Sequence, residues 1–123
     1  MRHSIGAFAA AAGLLVMVGL PAAAAECSYP QGAMPTVPDG RTATAAQLSA
    51  AFTAVQSYVN LLQSFQDCVE ARIKLAPAGS KAEDLQKLRE QGDDAIERAE
   101  ALKNEYGAQV AAFKATGKAP PSR

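Results

Sequence analysis

Two long stretches of apolar residues at helical spacing, interrupted once, constrain this chain more than any other feature. From Thr44 to about Leu75, apolar residues recur at Leu48, Phe52, Val55, Val59, Leu62, Val69 and Ile73. A second stripe runs beside them through Ala51, Ala54, Tyr58, Leu61, Phe65 and Cys68. From Ser80 to about Lys114 one stripe passes through Leu85, Leu88, Gly92, Ala95, Ala99, Leu102, Tyr106, Gln109 and Phe113, flanked by Ile96 and Val110. Steps of three and four are the period of an α-helix, close to the heptad of a coiled coil. Thr44 followed by Gln47, and Ser80 followed by Glu83, have the spacing of capping boxes. Pro77-Ala78-Gly79 separates the two stretches. Two helices of about equal length joined by a short break predict an antiparallel hairpin, about 50 Å long at 1.5 Å per residue, with Tyr106 to Phe113 facing Leu48 and Phe52.

The residues before the first helix read differently. Glu26 to Arg41 holds Pro30, Pro35 and Pro38, which remove backbone donors and favour extended geometry. Pro38-Asp39-Gly40 is a turn signal in which Gly40 is able to take a positive φ. Earlier still, Met1-Arg2-His3 is a short basic start, Ile5 to Leu20 carries no charge, and Ala22 to Ala25 precede Glu26. That order is the pattern of a secretory signal peptide cut between Ala25 and Glu26. An uncut membrane anchor is the competing reading, since the apolar stretch approaches the ~20 residues that span a bilayer. Lipidation at Cys27 is disfavoured because Glu26, not a small residue, stands before it. The predicted layout is therefore a signal peptide over 1–25, an extended Pro-rich arm over 26–41, a helical hairpin over 42–114 and a disordered tail over 115–123.

After that cut, the two cysteines of the chain, Cys27 and Cys68, both remain. In an oxidising compartment an even pair reads as a disulfide, and the predicted location is the periplasm. Reach permits the bond. Cys68 lies about 36 Å along the first helix from its cap, and an extended arm from Cys27 to Thr44 reaches about 50 Å. The predicted fold is an all-α antiparallel helical hairpin whose N-terminal arm is tied to helix 1 by Cys27–Cys68. Cys68 stands on the second stripe, so the first stripe is expected to meet helix 2. The arm is expected to lie over the second, with Tyr29, Met34, Val37 and the prolines covering Tyr58, Leu61 and Phe65.

Catalytic chemistry has few parts to use. The only histidine, His3, falls in the predicted signal peptide, so no histidine-based triad or general base can be assembled downstream of the cut. No glycine-rich phosphate loop, EF-hand loop or CxxC pair occurs. Asp93, Asp94 and Glu97 read as a solvated helix face rather than as metal ligands. Glu90 and Asp94, four apart and alike in charge, are mildly unfavourable unless something neutralises them. Residues 26–123 carry 11 Lys or Arg (12 less Arg2) against 12 Asp or Glu, a net charge of −1 with no basic patch. Nucleic acid is thus not an expected partner. No cofactor and no metal are expected.

One stretch is unusual for an exposed helix. From Thr42 to Gln66 there is no charged residue. Charge depletion marks the buried centre of interfaces; a compositional bias toward small neutral residues would produce the same stretch. On the first reading Gln56, Asn60 and Gln63, with Tyr58 and Phe65, form a candidate interaction face.

Cys27-Ser-Tyr-Pro, then Pro35-Thr-Val-Pro38-Asp39-Gly40, Thr42-Ala-Thr44, Tyr58 and Cys68-Val-Glu70 follow one another in a fixed order. This arrangement resembles a family of small uncharacterised exported proteins of proteobacteria, over about Cys27 to Glu70. The resemblance implies an envelope location and carries no catalytic residue. Together these readings lead to the expectation of a non-enzymatic periplasmic interaction or structural protein. It would self-associate or dock on an envelope partner, with no membrane span after cleavage. The alternative is a chaperone-like, stress-protective binder that holds apolar clients against the Tyr/Phe-rich stripe.

Overall fold

A computed structural model describes residues 26–118. The predicted signal peptide over 1–25 and the last five residues of the predicted tail lie outside the described residues. The fold is the predicted hairpin. Helix α1 spans Ala45–Lys74 and α2 spans Ala82–Ala115. They run antiparallel: Gly92 lies against Val69, the Tyr106 hydroxyl donates to the Leu48 carbonyl at 3.2 Å, and Lys118 reaches the Ala43 carbonyl.

Helix α1 begins as its sequence dictates. Thr44 is extended, its hydroxyl accepts from the Gln47 N–H at 3.1 Å, and its own N–H donates to Gln47 Oε1 at 2.8 Å. Two of the donors that every helix start leaves orphaned are thereby satisfied. At the other end, Arg72 and Lys74 sit in the last turn, where positive charge suits the helix dipole.

The start of α2 departs from expectation. Lys81, not Ser80, is the N-cap, and no side chain caps the helix. Ser80 is occupied elsewhere: its hydroxyl and N–H both donate to the Pro77 carbonyl, at 2.7 and 3.1 Å. That turn is closed by Gly79 at φ +94°. Glu83, expected to complete the box, pairs with Lys87 at 3.3 Å. The end of α2 also differs. The helix takes in Ala115, and Thr116 donates through its hydroxyl to the Phe113 carbonyl. Gly117 turns at φ +77°, and the Lys118 ammonium lies 5.5 Å from the Phe113 ring centre. Residues 115–118 of the predicted disordered tail are therefore structured, because they cap the last carbonyls and close the core over Phe113.

The core resolves the two stripes of α1 into one seam. Leu48, Ala51, Val55, Tyr58, Leu62, Phe65 and Val69 are buried, in unbroken steps of three and four. The seam draws alternate residues from each predicted stripe, and Phe65 fills the gap that the first stripe left at Gln66. Val59 is buried beside it. On α2 the predicted stripe is the observed one: Gly92, Ala95, Ala99, Leu102 and Phe113 are buried, and Tyr106 and Gln109 partly so. The small residues at Gly92, Ala95 and Ala99 let the backbones approach closely. A Cβ on Gly92 would stand 3.3 Å from Val69 Cγ1.

Gly40 is needed for a reason other than the predicted one. Its φ is not positive; instead, a Cβ there would overlap the Gln109 carbonyl on α2 and stand 2.9 Å from the Phe113 nitrogen. Gly40→Ala is accordingly expected to cost about 1–3 kcal/mol by forcing the chain off α2. Gly107→Ala, with nothing within 4 Å of its Cβ, should stabilise by about 1 kcal/mol. Urea unfolding of the two variants checks both signs; similar shifts in one direction would contradict this packing.

Candidate interaction surface

The arm divides the hairpin into a covered and an uncovered side. Cys27 is bonded to Cys68, with Cα atoms 5.7 Å apart. Two residues on, the Tyr29 ring meets Phe65 edge-on, with centroids 4.9 Å apart. The Tyr29 hydroxyl donates to Asp94 at 2.6 Å, and the Arg98 guanidinium lies 5.6 Å from the Tyr29 ring centre while pairing with Asp94 at 3.1 Å. The unfavourable Glu90–Asp94 pair is thus relieved: Asp94 is held by Tyr29 and Arg98, and Glu90 accepts from Gln86. At the far end of the arm, the Asp39 carbonyl accepts from Thr42 and Ala43, and Gly40 N–H donates to Gln109 Oε1 at 2.9 Å.

The arm therefore starts on α1 and finishes on α2. The expectation that it lies over α1 alone is corrected. Cys27, Tyr29 and Val37 do pack on the core, but Met34 and Leu61 are 47% and 55% exposed. Crossing the groove lets a few apolar side chains touch both helices, and the polar anchors Asp94 and Gln109 stand only on α2.

The seven-residue repeat places the two sides. On α1, Ala54, Leu61 and Cys68 form the row on the arm's side, whereas Phe52, Val59, Gln66 and Ile73 form the row across the seam. On α2 the row across the seam is Arg89, Ile96, Lys103 and Val110. The two rows meet in a shallow groove lined by Gln66, Val69, Ile73 and Gly92, with Glu70, Lys74, Arg89 and Asp93 on its rim. No arm residue enters it. Phe52, in contact with Tyr106 at a centroid distance of 5.7 Å, and Ile96 are each 39% exposed on this side.

The predicted interaction face divides between surface and core. Gln56, Asn60 and Gln63 are exposed, with Gln56 donating to Asn60 at 3.0 Å. Gln56 and Gln63 adjoin the Phe52 row; Asn60 points outward. Tyr58 and Phe65 are buried in the seam and cannot form part of an outer face. Phe52 and Ile96 were not among the predicted site residues, although their spacing from the seam would have found them. Among the described residues, no group of three or more His, Cys, Asp or Glu side chains is placed to hold a metal ion, and no polar side chain is buried. No helix there is long and apolar enough to cross a membrane. Compared with protein-family models, curated proteins and solved structures, the chain matches none of them.

The contacts of the arm set its chemistry. Burial, and then the hydrogen bond to Asp94, push the Tyr29 phenol up from 10.0 to about 12. Because the folded value is raised, the Tyr29 contribution is fully present below the ordinary tyrosine range and is lost as pH rises through about 12. Phenolate absorbance of oxidised protein should show a late ionisation that Tyr29→Phe removes and that reduction shifts back toward 10.0. Its persistence in Tyr29→Phe would place the raised group elsewhere. For the bond itself, a loop closed across 41 residues should contribute about 4 kcal/mol by chain entropy. A marked fall in melting temperature with dithiothreitol is the expected result; an unchanged temperature would contradict it.

Proposed function

We propose that this protein is a non-enzymatic interaction protein of the periplasm, a disulfide-stapled hairpin that associates through the side its own arm leaves open. The single observation carrying this reading is the asymmetry of the hairpin. One groove is filled by a tethered segment. The opposite groove shows Phe52 and Ile96 to solvent beside a stretch of α1 that has no charge. Desolvating that α1 flank costs little, because no ion on it must shed its water. The periplasmic part of the proposal rests on Cys27–Cys68, a bond favoured in oxidising compartments, and on the export pattern read from the first 25 residues. The resemblance to exported proteobacterial proteins agrees with that location. The chaperone-like alternative loses its support, since Tyr58 and Phe65, the stripe meant for clients, are consumed internally.

A photo-crosslinking residue at Gln56 or Gln63 tests this in the native compartment. Adducts are expected from both positions and not from Glu97, on the charged outer face of α2. Equal labelling from all three, or none, would count against an interaction through the open groove.

A further inference from the structure

The end of the hairpin that carries the turn between α1 and α2 differs from the rest of the surface in two ways. Residues 71–82 hold three positive charges, Arg72, Lys74 and Lys81, and no negative one. The ion pairs among the described residues are Arg41–Asp39, Lys87–Glu83 and Arg98–Asp94, so none of these three cations stands in an ion pair. Between Lys74 and Lys81 runs Leu75-Ala76-Pro77-Ala78-Gly79-Ser80, without a charge. Leu75, at 78%, is the most exposed large apolar side chain of the described residues. At the opposite end of the hairpin the nearest such side chain, Phe52, stands two turns inside α1 and packs on Tyr106.

Local helix electrostatics accounts for only part of this. Arg72 and Lys74 suit the negative end of α1. Lys81, however, is the N-cap of α2, where positive charge opposes the helix dipole and no side chain caps the helix. Of the carboxylates that flank the run, Glu83 is paired with Lys87, and Glu70, five residues before Leu75, lines the open groove. Asp84 shares a cleft with Arg72 and Lys81, lined also by Leu75, Leu85 and Leu88. An apolar tip flanked by cations is complementary to a surface that is negative outside and apolar beneath.

We infer that this tip docks on an anionic phospholipid surface, with Leu75 entering the acyl boundary and Arg72, Lys74 and Lys81 set against the phosphates. The path of the chain agrees with a bilayer as the partner. The uncharged run Ile5 to Leu20, read as an export signal, leads to Glu26, and Cys27 fixes that junction to Cys68. Cys68 is about 10 Å from Leu75 along α1, whereas the far end of that helix is about 45 Å from the tip. The segment that carries the chain through a membrane is thus attached near the tip. A basic residue close to an anionic surface strengthens binding about fivefold, and burying one leucine about tenfold. The consequence is a reversible, salt-sensitive attachment. It leaves the open groove free beyond the tip, so it stands apart from the role proposed above.

Cosedimentation of the oxidised, processed chain with vesicles tests this. Vesicles of phosphatidylglycerol mixed with phosphatidylcholine should bind it, vesicles of phosphatidylcholine alone should bind it far less, and added salt should weaken the binding. Lys74→Gln and Lys81→Gln should each lower affinity about fivefold, and Asp84→Asn should raise it by a similar factor. Leu75→Ser should lower it about tenfold. Lys103→Gln and Leu61→Ser, exposed changes away from the tip, should leave it unchanged. Circular dichroism of each variant should match that of the parent, since all these positions are exposed. Absence of binding to the mixed vesicles overturns the inference. So does binding that Lys103→Gln weakens as much as Lys81→Gln, because overall charge and not the tip would then be responsible. Binding indifferent to Leu75→Ser and Asp84→Asn overturns it as well.

Discussion

A two-helix hairpin exposes most of what it contains, and here the Cys27–Cys68 bond supplies the third packing element. The α2 seam is built from Gly92, Ala95 and Ala99 over much of its length. These residues bring the backbones close but bury little area of their own. An isolated pair of this kind would have a thin core. The disulfide holds the beginning of the arm at Cys68, and the Asp39–Gly40 corner holds its end at Gln109. Tyr29 and Val37 are thereby delivered onto the core, the first capping Phe65. Cross-linking also shrinks the unfolded ensemble, so one bond acts on both sides of the folding equilibrium.

The sidedness of the molecule follows from the same bond. A tethered segment can fill one groove of a hairpin and not the other. Electrostatics reinforces the contrast. The outer surface of α2 is dense in charge, and part of that charge is paired along the helix, through Lys87–Glu83, Arg98–Asp94 and the Gln86–Glu90 contact. Such exposed pairs add little stability, but they keep that surface hydrated. The outer surface of α1 up to Gln66 has none. One helix thus carries a charged outer side, while the other offers a neutral flank next to Phe52. The rim charges Glu70, Lys74, Arg89 and Asp93 bound the open groove at the hairpin end.

Local features of the sequence were directly legible. Thr44 with Gln47 marks the start of α1 because a hydroxyl and an amide three residues apart satisfy each other's neighbouring N–H groups. Pro77 to Gly79 marks the break. Ser80 shows the limit of that logic: a hydroxyl that reads as a cap has a competing acceptor, the Pro77 carbonyl, and the turn geometry favours it. Gly40 shows a second limit, since its lack of a side chain serves contact with α2, which no local pattern encodes. The candidate site was half legible. Gln56, Asn60 and Gln63 are indeed on the surface, but Tyr58 and Phe65 belong to the seam, and Phe52 and Ile96 emerge only once the seam is located.

By itself the sequence determined two helices, their antiparallel return, the cysteine pair within reach, and the whole contact stripe of α2. Those follow from periodicity, chain length and short-range hydrogen bonding. What only the tertiary structure decided is which rows of α1 face inward and where the arm lies. Helix α1 carries apolar residues at several heptad positions, so its periodicity fits more than one seam. The choice was made by α2, whose small residues admit Val69 and its seam neighbours, and by Asp94 and Gln109, which draw the arm across the groove and leave the far side uncovered.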